Sequence, residues 1–168
     1  AEHTSSRYQR GDRTRALDFD APGQPAIVTW NEAQAFCAWA SAGLGRTVRL
    51  PTDAEWVAFA GDIPPPSELH RFANGADPAT FAAVVAGDAA YPQDDRLPGD
   101  DGFVGTAPVG RLLPNPSGLH DVWGNVTEWT STPHGDQDVL HRGGAWNNGP
   151  AIMGGPNHCG RNQHYDST

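Results

Sequence analysis

The sequence predicts a single α+β domain with two helices, a small antiparallel sheet and much irregular chain. Two segments show helical periodicity behind a capping box, and short β-type segments are separated by turns rich in glycine and proline. The chain has 168 residues, enough for one hydrophobic core, and its 20 glycines and 15 prolines indicate long connecting loops. Its six tryptophans favour a compact fold over a disordered chain.

The first helix is predicted to begin behind Thr29 and to end at Gly43. Thr29 and Glu32 form a capping box, in which a hydroxyl and a carboxylate satisfy free amides of the first turn. Four apolar residues follow at helical spacing and define the face expected to be buried: Ala33, Phe36, Cys37 and Ala40.

The second helix is predicted to begin behind another capping box, formed by Thr52 and Glu55, and to end at Gly61. Its buried side chains are expected to be those of Trp56, Phe59 and Ala60. The two helices are therefore predicted from local signals alone.

Four short segments are strand candidates, each followed closely by proline or glycine: 47–50, 109–113, 128–131 and 139–143. Residues 62–105 and 144–168 are predicted to be loops, apart from an apolar run at 80–86. Long irregular loops in a compact domain are usually functional or held by ligands. Residues 1–27 are polar and are predicted to form an N-terminal extension or arm, with the domain at 28–168.

The chain is acidic, with a formal net charge of −9 and a pI near 5.0. Nucleic acids and anionic membranes require clustered positive charge, so neither is expected as a partner. All eleven basic residues are arginines, which excludes lysine Schiff-base chemistry and the lysine of a phosphate-binding loop. No apolar run is long enough to span a membrane, so membrane insertion is not expected.

The usual catalytic motifs are missing from the sequence. It contains neither the G-x-S-x-G of a hydrolase nucleophile nor an H-x-x-x-H zinc pair. The two cysteines, Cys37 and Cys159, are expected to be free thiols rather than a disulfide. A histidine metal site is the less favoured interpretation of four loop histidines, which are more often polar surface: His134, His141, His158 and His164.

The segment GLHDVWGNVTEWT, residues 118–130, has the donors of a cation-binding loop. Asp121 and Glu128 supply anionic oxygens, Asn125 supplies a neutral one, and Gly124 permits a backbone path that turns carbonyls inward. A tight loop around a calcium-sized cation and a buried aromatic corner with turn-capping acids are equally good interpretations of these residues. Asp94, Asp95, Asp100 and Asp101 crowd one loop, where mutual repulsion would favour a bound divalent cation, but taken alone they are better interpreted as a solvated acidic loop.

Five segments, in this order and with about this spacing, resemble the formylglycine-generating enzyme superfamily. They are VTWNEAQAFCAWA from Val28, RLPTDAEWVAFAG from Arg49, DDGFVGTAPVG from Asp100, GLHDVWGNVTEWT from Gly118 and HRGGAWNNGP from His141. The resemblance implies a C-type lectin-like fold with two helices, a small antiparallel sheet and irregular chain held by calcium. It also implies terminal strands that pair with each other, and neither is found here, so the closing strands are expected to be missing or rebuilt.

The resemblance also implies which residues hold structural calcium. The family's D-x-x-G-x-V-x-E pattern maps onto Asp121, Gly124, Val126 and Glu128. The acid and the aromatic residue of its DGF motif correspond to Asp101 and Phe103. The second site would need two further upstream residues, which the sequence does not place.

Members of the family that oxidise a substrate cysteine bind copper through two cysteines five residues apart, after the RGG motif. Cys159 resembles one of them, but the residue five before it is Gly154. Copper(I) needs two soft thiolates, so copper is not expected. A copper- or iron-dependent oxidase of the formylglycine-generating or sulfoxide synthase type, acting through Cys159, is the alternative. The sulfoxide synthases take their iron ligands from an H-x-x-x-H-x-E motif, which this sequence lacks.

A third branch, the variable proteins of diversity-generating retroelements, randomises loops after RGG-x-W to bind many targets. The asparagine-rich segment after Gly144 resembles such a region, although asparagine is also common in ordinary loops. The resemblance predicts a non-enzymatic ligand-binding domain. Its expected exposed ligand face consists of Trp146, Asn147, Asn148, Asn157, His158, Asn162, His164, Tyr165 and Asp166.

The partner expected from this reading is a protein or cell-surface ligand. A homo-oligomer, or a place in a larger assembly such as a phage tail, is a further expectation. A secreted, cell-surface or phage-borne location is favoured over a cytoplasmic one.

Overall fold

Helices and a three-stranded antiparallel sheet frame long irregular loops in the computed structural model, which describes residues 21–80, residue 82 and residues 96–160. In chain order the elements are α1 (Trp30–Leu44), α2 (Asp53–Ala60), α3 (Pro66–Leu69), β1 (Ala73–Asn74), α4 (Pro78–Thr80), β2 (Trp123–Gly124), β3 (Glu128–His134), β4 (Asp138–Arg142), α5 (Pro150–Met153) and β5 (Asn157–Gly160). The predicted N-terminal arm lies outside the described residues up to residue 20. No helix of the described part is long and apolar enough to cross a membrane.

The capping boxes of α1 and α2 both form as predicted. Thr29 caps α1 with Glu32, and Thr52 caps α2 with Glu55. The first helix ends at Gly45 instead of Gly43, because Gly45 adopts the left-handed conformation, at a φ of 63°, that terminates a helix.

The apolar face predicted for α1 is only partly buried. Cys37 is buried, but the side chain of Phe36 is 61% exposed, so its predicted burial is wrong. Phe36 instead packs against Trp39, with ring centroids 5.6 Å apart. The described chain covers the Cys37 side of the helix, and this aromatic pair remains on its outer side.

The interior is built around α2 and the chain segments that follow it. Trp56 and Ala60 of α2 are buried as predicted, and Phe59 is partly buried against them. Burying one large apolar side chain stabilises a fold by about 1.5–3 kcal/mol, so this cluster fixes the position of α2. The other core residues come from loops and short elements: Leu69, Ala73, Leu97, Val122, Trp123 and Met153.

The sheet has the order β3-β4-β5, with every neighbouring pair antiparallel. The predicted strands at 128–131 and 139–143 are confirmed as β3 and β4. The strand β5 and the helix α5 lie in the segment predicted to be loop, which is therefore only partly irregular. Within the sheet, Glu128 pairs with Arg142 and Trp129 pairs with His141.

The strand candidates at 47–50 and 109–113 are irregular in the structure. The amide of Val48 donates to the Ser41 hydroxyl, so this segment is tied to α1 and not to a sheet. The amides of Val109 and Leu113 donate to the carbonyls of Gly23 and Arg71. Both strand predictions are wrong, because single groups in a helix or a loop, rather than a neighbouring strand, accept from these amides.

A two-residue parallel pair, β1 with β2, brings the two predicted calcium-binding segments together. Ala73 pairs with Trp123, and Asn74 pairs with Gly124. Gly124 has a φ of 73°, and a side chain there would overlap the Asn74 carbonyl oxygen. Glycine is therefore required at this crossing.

Candidate functional site

The segment 118–130 curls tightly enough to bring its two acids together. Asp121 and Asn125 both have positive φ angles, 58° and 62°, which non-glycine residues rarely adopt. One carboxylate oxygen of Asp121, Oδ2, accepts a 2.6 Å hydrogen bond from the Gly110 amide. The other, Oδ1, is buried without a hydrogen-bond partner. An orphaned anionic oxygen of this kind fits a bound cation.

Glu128 is the second acid of this site. Burial, together with the nearby charge of Asp121, holds the pKa of Glu128 well above its ordinary value. A hydrogen bond of 3.0 Å from Trp56 Nε1 to Glu128 Oε2 acts in the opposite direction. Because two like charges share an enclosed space, a divalent cation between them would relieve both desolvation and repulsion.

The backbone approaches the Glu128 carboxylate closely at Gly143. A side-chain β-carbon at residue 143 would lie 2.7 Å from both Glu128 Oε2 and the Val122 carbonyl oxygen. The RGG motif thus contributes a glycine that makes room for the carboxylate. Gly124 and Val126 remain predicted ligands, since their proposed contribution is a backbone carbonyl.

Asn125, the neutral donor expected from the sequence, has another role. Its Oδ1 accepts from the Ala107 amide at 2.9 Å and its Nδ2 donates to the Ala107 carbonyl at 3.1 Å. The side chain therefore fastens the loop around residue 107, and we no longer count it as a cation ligand.

A second acidic cluster combines Asp101 with Asp77 and Asp100. One carboxylate oxygen from each lies within 4.8 Å of the others, and Asp77 and Asp101 are buried. Burial raises the pKa of Asp101 to about 7, and the charges of Asp77 and Asp100 add to that shift. Of the acidic loop expected from the sequence, Asp94 and Asp95 lie outside the described residues.

Two backbone amides hold the Asp101 carboxylate. The amides of Gly75 and Phe103 each donate to one Asp101 oxygen at 2.9 Å. The amide of Phe103 is thus a partner of the Asp101 carboxylate, and the role of Phe103 at a calcium site stays a prediction. These amide donors oppose the rise in the Asp101 pKa but do not cancel the effect of burial.

Two residues that the sequence did not place, Asn74 and Asp77, belong to this second site. Asn74 is fully buried, and while its Nδ2 donates to the Gly105 carbonyl at 3.0 Å, its Oδ1 has no hydrogen-bond partner. Asn74 directly precedes Gly75, which contacts Asp101. Asn74 and Asp77 are therefore candidates for the two upstream ligands that the sequence does not place. The sequence signal that could have identified Asp77 is its position three residues before Thr80. At this spacing Asp77 Oδ1 accepts a 2.7 Å hydrogen bond from the Thr80 amide.

The expected ligand face after Gly144 is not exposed at its beginning. Trp146 and Asn147 are only 4% and 2% exposed, which contradicts the prediction that they line a surface. The Trp146 amide donates to the Asn125 carbonyl at 3.0 Å, and the Ala76 amide donates to the Asn148 carbonyl at 2.9 Å. The segment is buried because its backbone packs between the chain at residue 125 and the chain at residue 76.

The remaining ligand-face residues fall into three groups. Asn148 and Asn157 are half-buried, and the Asn148 side chain also accepts from the Ala145 amide. His158 and Cys159 lie in β5, where their backbones pair with Leu140 and Val139. The last group lies outside the described residues: Asn162, His164, Tyr165 and Asp166.

The position that corresponds to the second copper-binding cysteine of the family is occupied by Gly154. Gly154 follows α5 in a right-handed helical conformation, so the position is a helix end without a side chain. His141 is fully buried and packs edge-on against Trp129, with ring centroids 5.7 Å apart. Within residues 21–80, 82 and 96–160, the cluster of metal-ligating side chains that we find consists of three aspartates without histidine.

Comparison with known proteins agrees with this architecture. A family described as the sulfatase-modifying factor enzyme 1-like domain matches residues 3–166. The formylglycine-generating enzyme of Thermomonospora curvata is 37% identical over 112 residues, covering 66% of this chain and 34% of the relative. The inactive Cα-formylglycine-generating enzyme 2 of Bos taurus is 36% identical over 123 residues, covering 71% of this chain and 37% of the relative. The chain thus spans about a third of the length of these relatives.

A solved structure supports the fold independently. The Treponema denticola variable protein 1 superposes with a TM-score of 0.61 at 19% identity, covering 83% of this chain and 66% of that one. At this identity the likeness shows the fold alone. The predicted α+β, C-type lectin-like fold of the formylglycine-generating type is therefore confirmed. With its match over nearly the whole sequence, the chain belongs to the family of the sulfatase-modifying factor enzyme 1-like domain.

Proposed function

We propose that this chain is a calcium-stabilised binding domain that recognises a protein or cell-surface ligand and performs no chemistry on it. The observation that carries the proposal is the donor set. The acids of the two candidate sites offer oxygen atoms, whereas the segment after RGG offers a single thiol. Oxygen donors suit calcium, and one thiol does not make a copper(I) site.

Calcium has a structural role in this proposal. Glu128 beside Asp121, and Asp101 beside Asp77, are carboxylates whose own charges are costly to bury without a cation. The orphaned oxygens of Asp121 and Asn74 support the same assignment. The pairing of β1 with β2 lies between the two candidate sites. Two bound cations would therefore stabilise the irregular segments on either side of this pairing.

The names of the relatives do not decide between catalysis and binding. The chain is about equally similar to a protein named as a formylglycine-generating enzyme and to one named as an inactive form. Gly154 at the position of the second cysteine supports the non-catalytic alternative for this chain. An oxidase using Cys159 is the competing proposal, and metal analysis separates the two.

Because Trp146 and Asn147 are buried, we move the proposed ligand surface further along the chain. It would begin at the half-buried Asn148, continue through Asn157 in β5 and include the polar residues up to Asp166. The fold shared with a protein named as variable supports the idea that this scaffold can carry a changeable surface. Asparagine, histidine and tyrosine are suited to such a surface because they combine adaptable hydrogen bonds with rigid contact area.

Metal content and cysteine oxidation test the proposal together. We expect purified protein to contain calcium and to leave a cysteine-containing peptide unchanged after copper(I) loading and exposure to oxygen, as measured by mass spectrometry. Peptide oxidation that disappears in Cys159→Ala would contradict the proposal and establish the oxidase. Binding is tested on arrays of cell-surface proteins and glycans, where Asn157→Ala and Tyr165→Ala should weaken any positive signal and Trp39→Ala should not.

A further inference from the structure

Glu128 and Arg142 lie directly opposite each other on β3 and β4. Residues paired across an antiparallel sheet project from the same face, with their β-carbons about 4.5–5.5 Å apart. A carboxylate and a guanidinium at such positions would ordinarily form an ion pair. In this structure they do not, and α2 supplies separate partners for each.

Asp53, the first residue of α2, holds the guanidinium of Arg142. Arg142 Nε and Nη2 donate to the two Asp53 oxygens at 2.5 and 2.7 Å, a bidentate pair that is largely buried. The guanidinium also lies over the Trp56 ring, 5.8 Å from its centroid. Both contacts direct Arg142 toward the helix and away from Glu128.

Trp56 holds the other member of the cross-strand pair. It follows Asp53 by three positions, so both side chains project from one face of α2. Its indole N–H reaches Glu128 Oε2 at 3.0 Å. One turn of helix thus binds the Arg142 guanidinium through Asp53 and the Glu128 carboxylate through Trp56.

We propose that α2 keeps the Glu128 carboxylate available for calcium, with Asp53 as the residue that withholds Arg142 from it and Trp56 as the residue that orients it. The inference rests on the proposed calcium role of Glu128. An arginine paired directly with Glu128 would occupy the oxygens that the metal requires and would place a positive charge beside it. Asp53, Trp56 and Arg142 are positioning residues, because none of them is a metal ligand.

The test compares single and double variants by calorimetric titration of calcium chloride into metal-free protein. The Glu128 site is identified as the binding event that is lost in Glu128→Gln. Asp53→Ala should release Arg142 to Glu128 and weaken calcium binding at this site about 10-fold, the lower range seen when a metal's outer partners are removed. Asp53→Ala with Arg142→Met should recover most of that loss, because the competing cation is gone.

A purely structural role for the ion pair would give a different pattern. In that case the double variant would bind calcium as weakly as Asp53→Ala or more weakly, and the inference would be wrong. Unchanged affinity in Asp53→Ala would also overturn it. Arg49→Met is the matched control, since it removes an exposed ion pair with Glu55 on the same helix and should leave calcium affinity unchanged.

The test also covers a variant that does not fold and a wild-type protein that binds no calcium. If Asp53→Ala fails to fold by circular dichroism, Arg142→Met alone decides, because the inference predicts that it binds calcium at least as tightly as wild type. Weaker binding by Arg142→Met overturns the inference. A wild-type protein that binds no calcium overturns the proposed function itself, which distinguishes that failure from a failure of the role assigned to α2.

Discussion

The indole Nε1 of Trp56 donates a 3.0 Å hydrogen bond to Oε2 of Glu128, which lies 72 positions further along the chain. The bond joins a helix specified by its own capping box to an acid at the end of an irregular loop. Since Glu128 otherwise shares its surroundings with Asp121, the indole is a compensating partner for a charge that is costly to bury. The relationship therefore links the stability of the fold to the candidate metal site.

Trp56→Phe should lower the free energy of unfolding by about 1–3 kcal/mol, because it keeps the ring but leaves a buried acceptor without its donor. Urea denaturation of metal-free protein measures the change. The control is Trp39→Phe, at a side chain that is 72% exposed, which should stay within about 0.5 kcal/mol of wild type. Equal effects of the two substitutions would show that the hydrogen bond does not stabilise the fold.

Gly143→Ala should be more damaging than a substitution at a glycine with similar backbone geometry. Gly143 has a φ of 89°, and an added methyl group would meet Glu128 Oε2 and the Val122 carbonyl. Gly118, with a φ of 78°, has no atom within 4 Å of its added methyl. Gly118→Ala should therefore cost about 1 kcal/mol of backbone strain, and Gly143→Ala at least 1–3 kcal/mol more. Thermal unfolding of both variants checks the difference, and equal melting temperatures would contradict it.

The metal-free protein should lose stability as the pH rises from about 4 to about 7. The pKa of Asp101 is raised from 3.8 to about 7, so in this range the folded state holds a proton that the unfolded state has released. Stability that is present at low pH is lost progressively between about pH 4 and pH 7, by up to about 4 kcal/mol for this group. Urea midpoints in the presence of a chelator measure the slope, which Asp101→Asn should reduce. A wild-type slope equal to that of the variant would contradict the assignment.

Calcium should bind at two sites that can be removed one at a time. Glu128→Gln and Asp101→Asn should each reduce the measured stoichiometry from two ions to one. At a free calcium concentration 100 times the dissociation constant, each site should stabilise the fold by about 2.7 kcal/mol. Calorimetry and thermal unfolding with and without chelator measure both effects. Loss of both ions in either single variant would indicate one coupled site instead.

Gly154→Cys should create a copper(I) site if the chain retains the geometry implied by its family. Residue 154 has a right-handed helical backbone, and an added β-carbon would come no closer than 3.6 Å to its nearest neighbour, so a cysteine fits there. The variant would have two thiolates five residues apart. It should therefore retain copper(I) in the presence of a chelator that removes copper(I) from the wild-type protein. Gly155→Cys, with a spacing of four residues to Cys159, is the matched control. Equal copper retention by the two variants would show that the spacing carries no such geometry.

Local signals account for what the sequence predicted correctly. Thr29 with Glu32 and Thr52 with Glu55 are contacts within one helical turn, and they define the starts of α1 and α2 without reference to the remaining chain. The segment at 109–113 also has a local pattern, that of a strand, but the prediction from it was wrong. Its amides donate to the carbonyls of Gly23 and Arg71, and no local pattern reveals partners so distant in the sequence. Burial at Trp146 was missed for the same reason, since its amide partner is Asn125.

The sequence by itself determined the two main helices, the strands β3 and β4, the family, and four acids of the candidate sites: Asp100, Asp101, Asp121 and Glu128. Only the tertiary structure decided which residues accompany those acids. Asn74 and Asp77 join Asp101 through loop packing and the β1–β2 pairing, and Asp53 and Trp56 reach Arg142 and Glu128 across the sheet. Helix starts depend on interactions over three or four residues, whereas the surroundings of a buried charge depend on every segment that the fold packs against it.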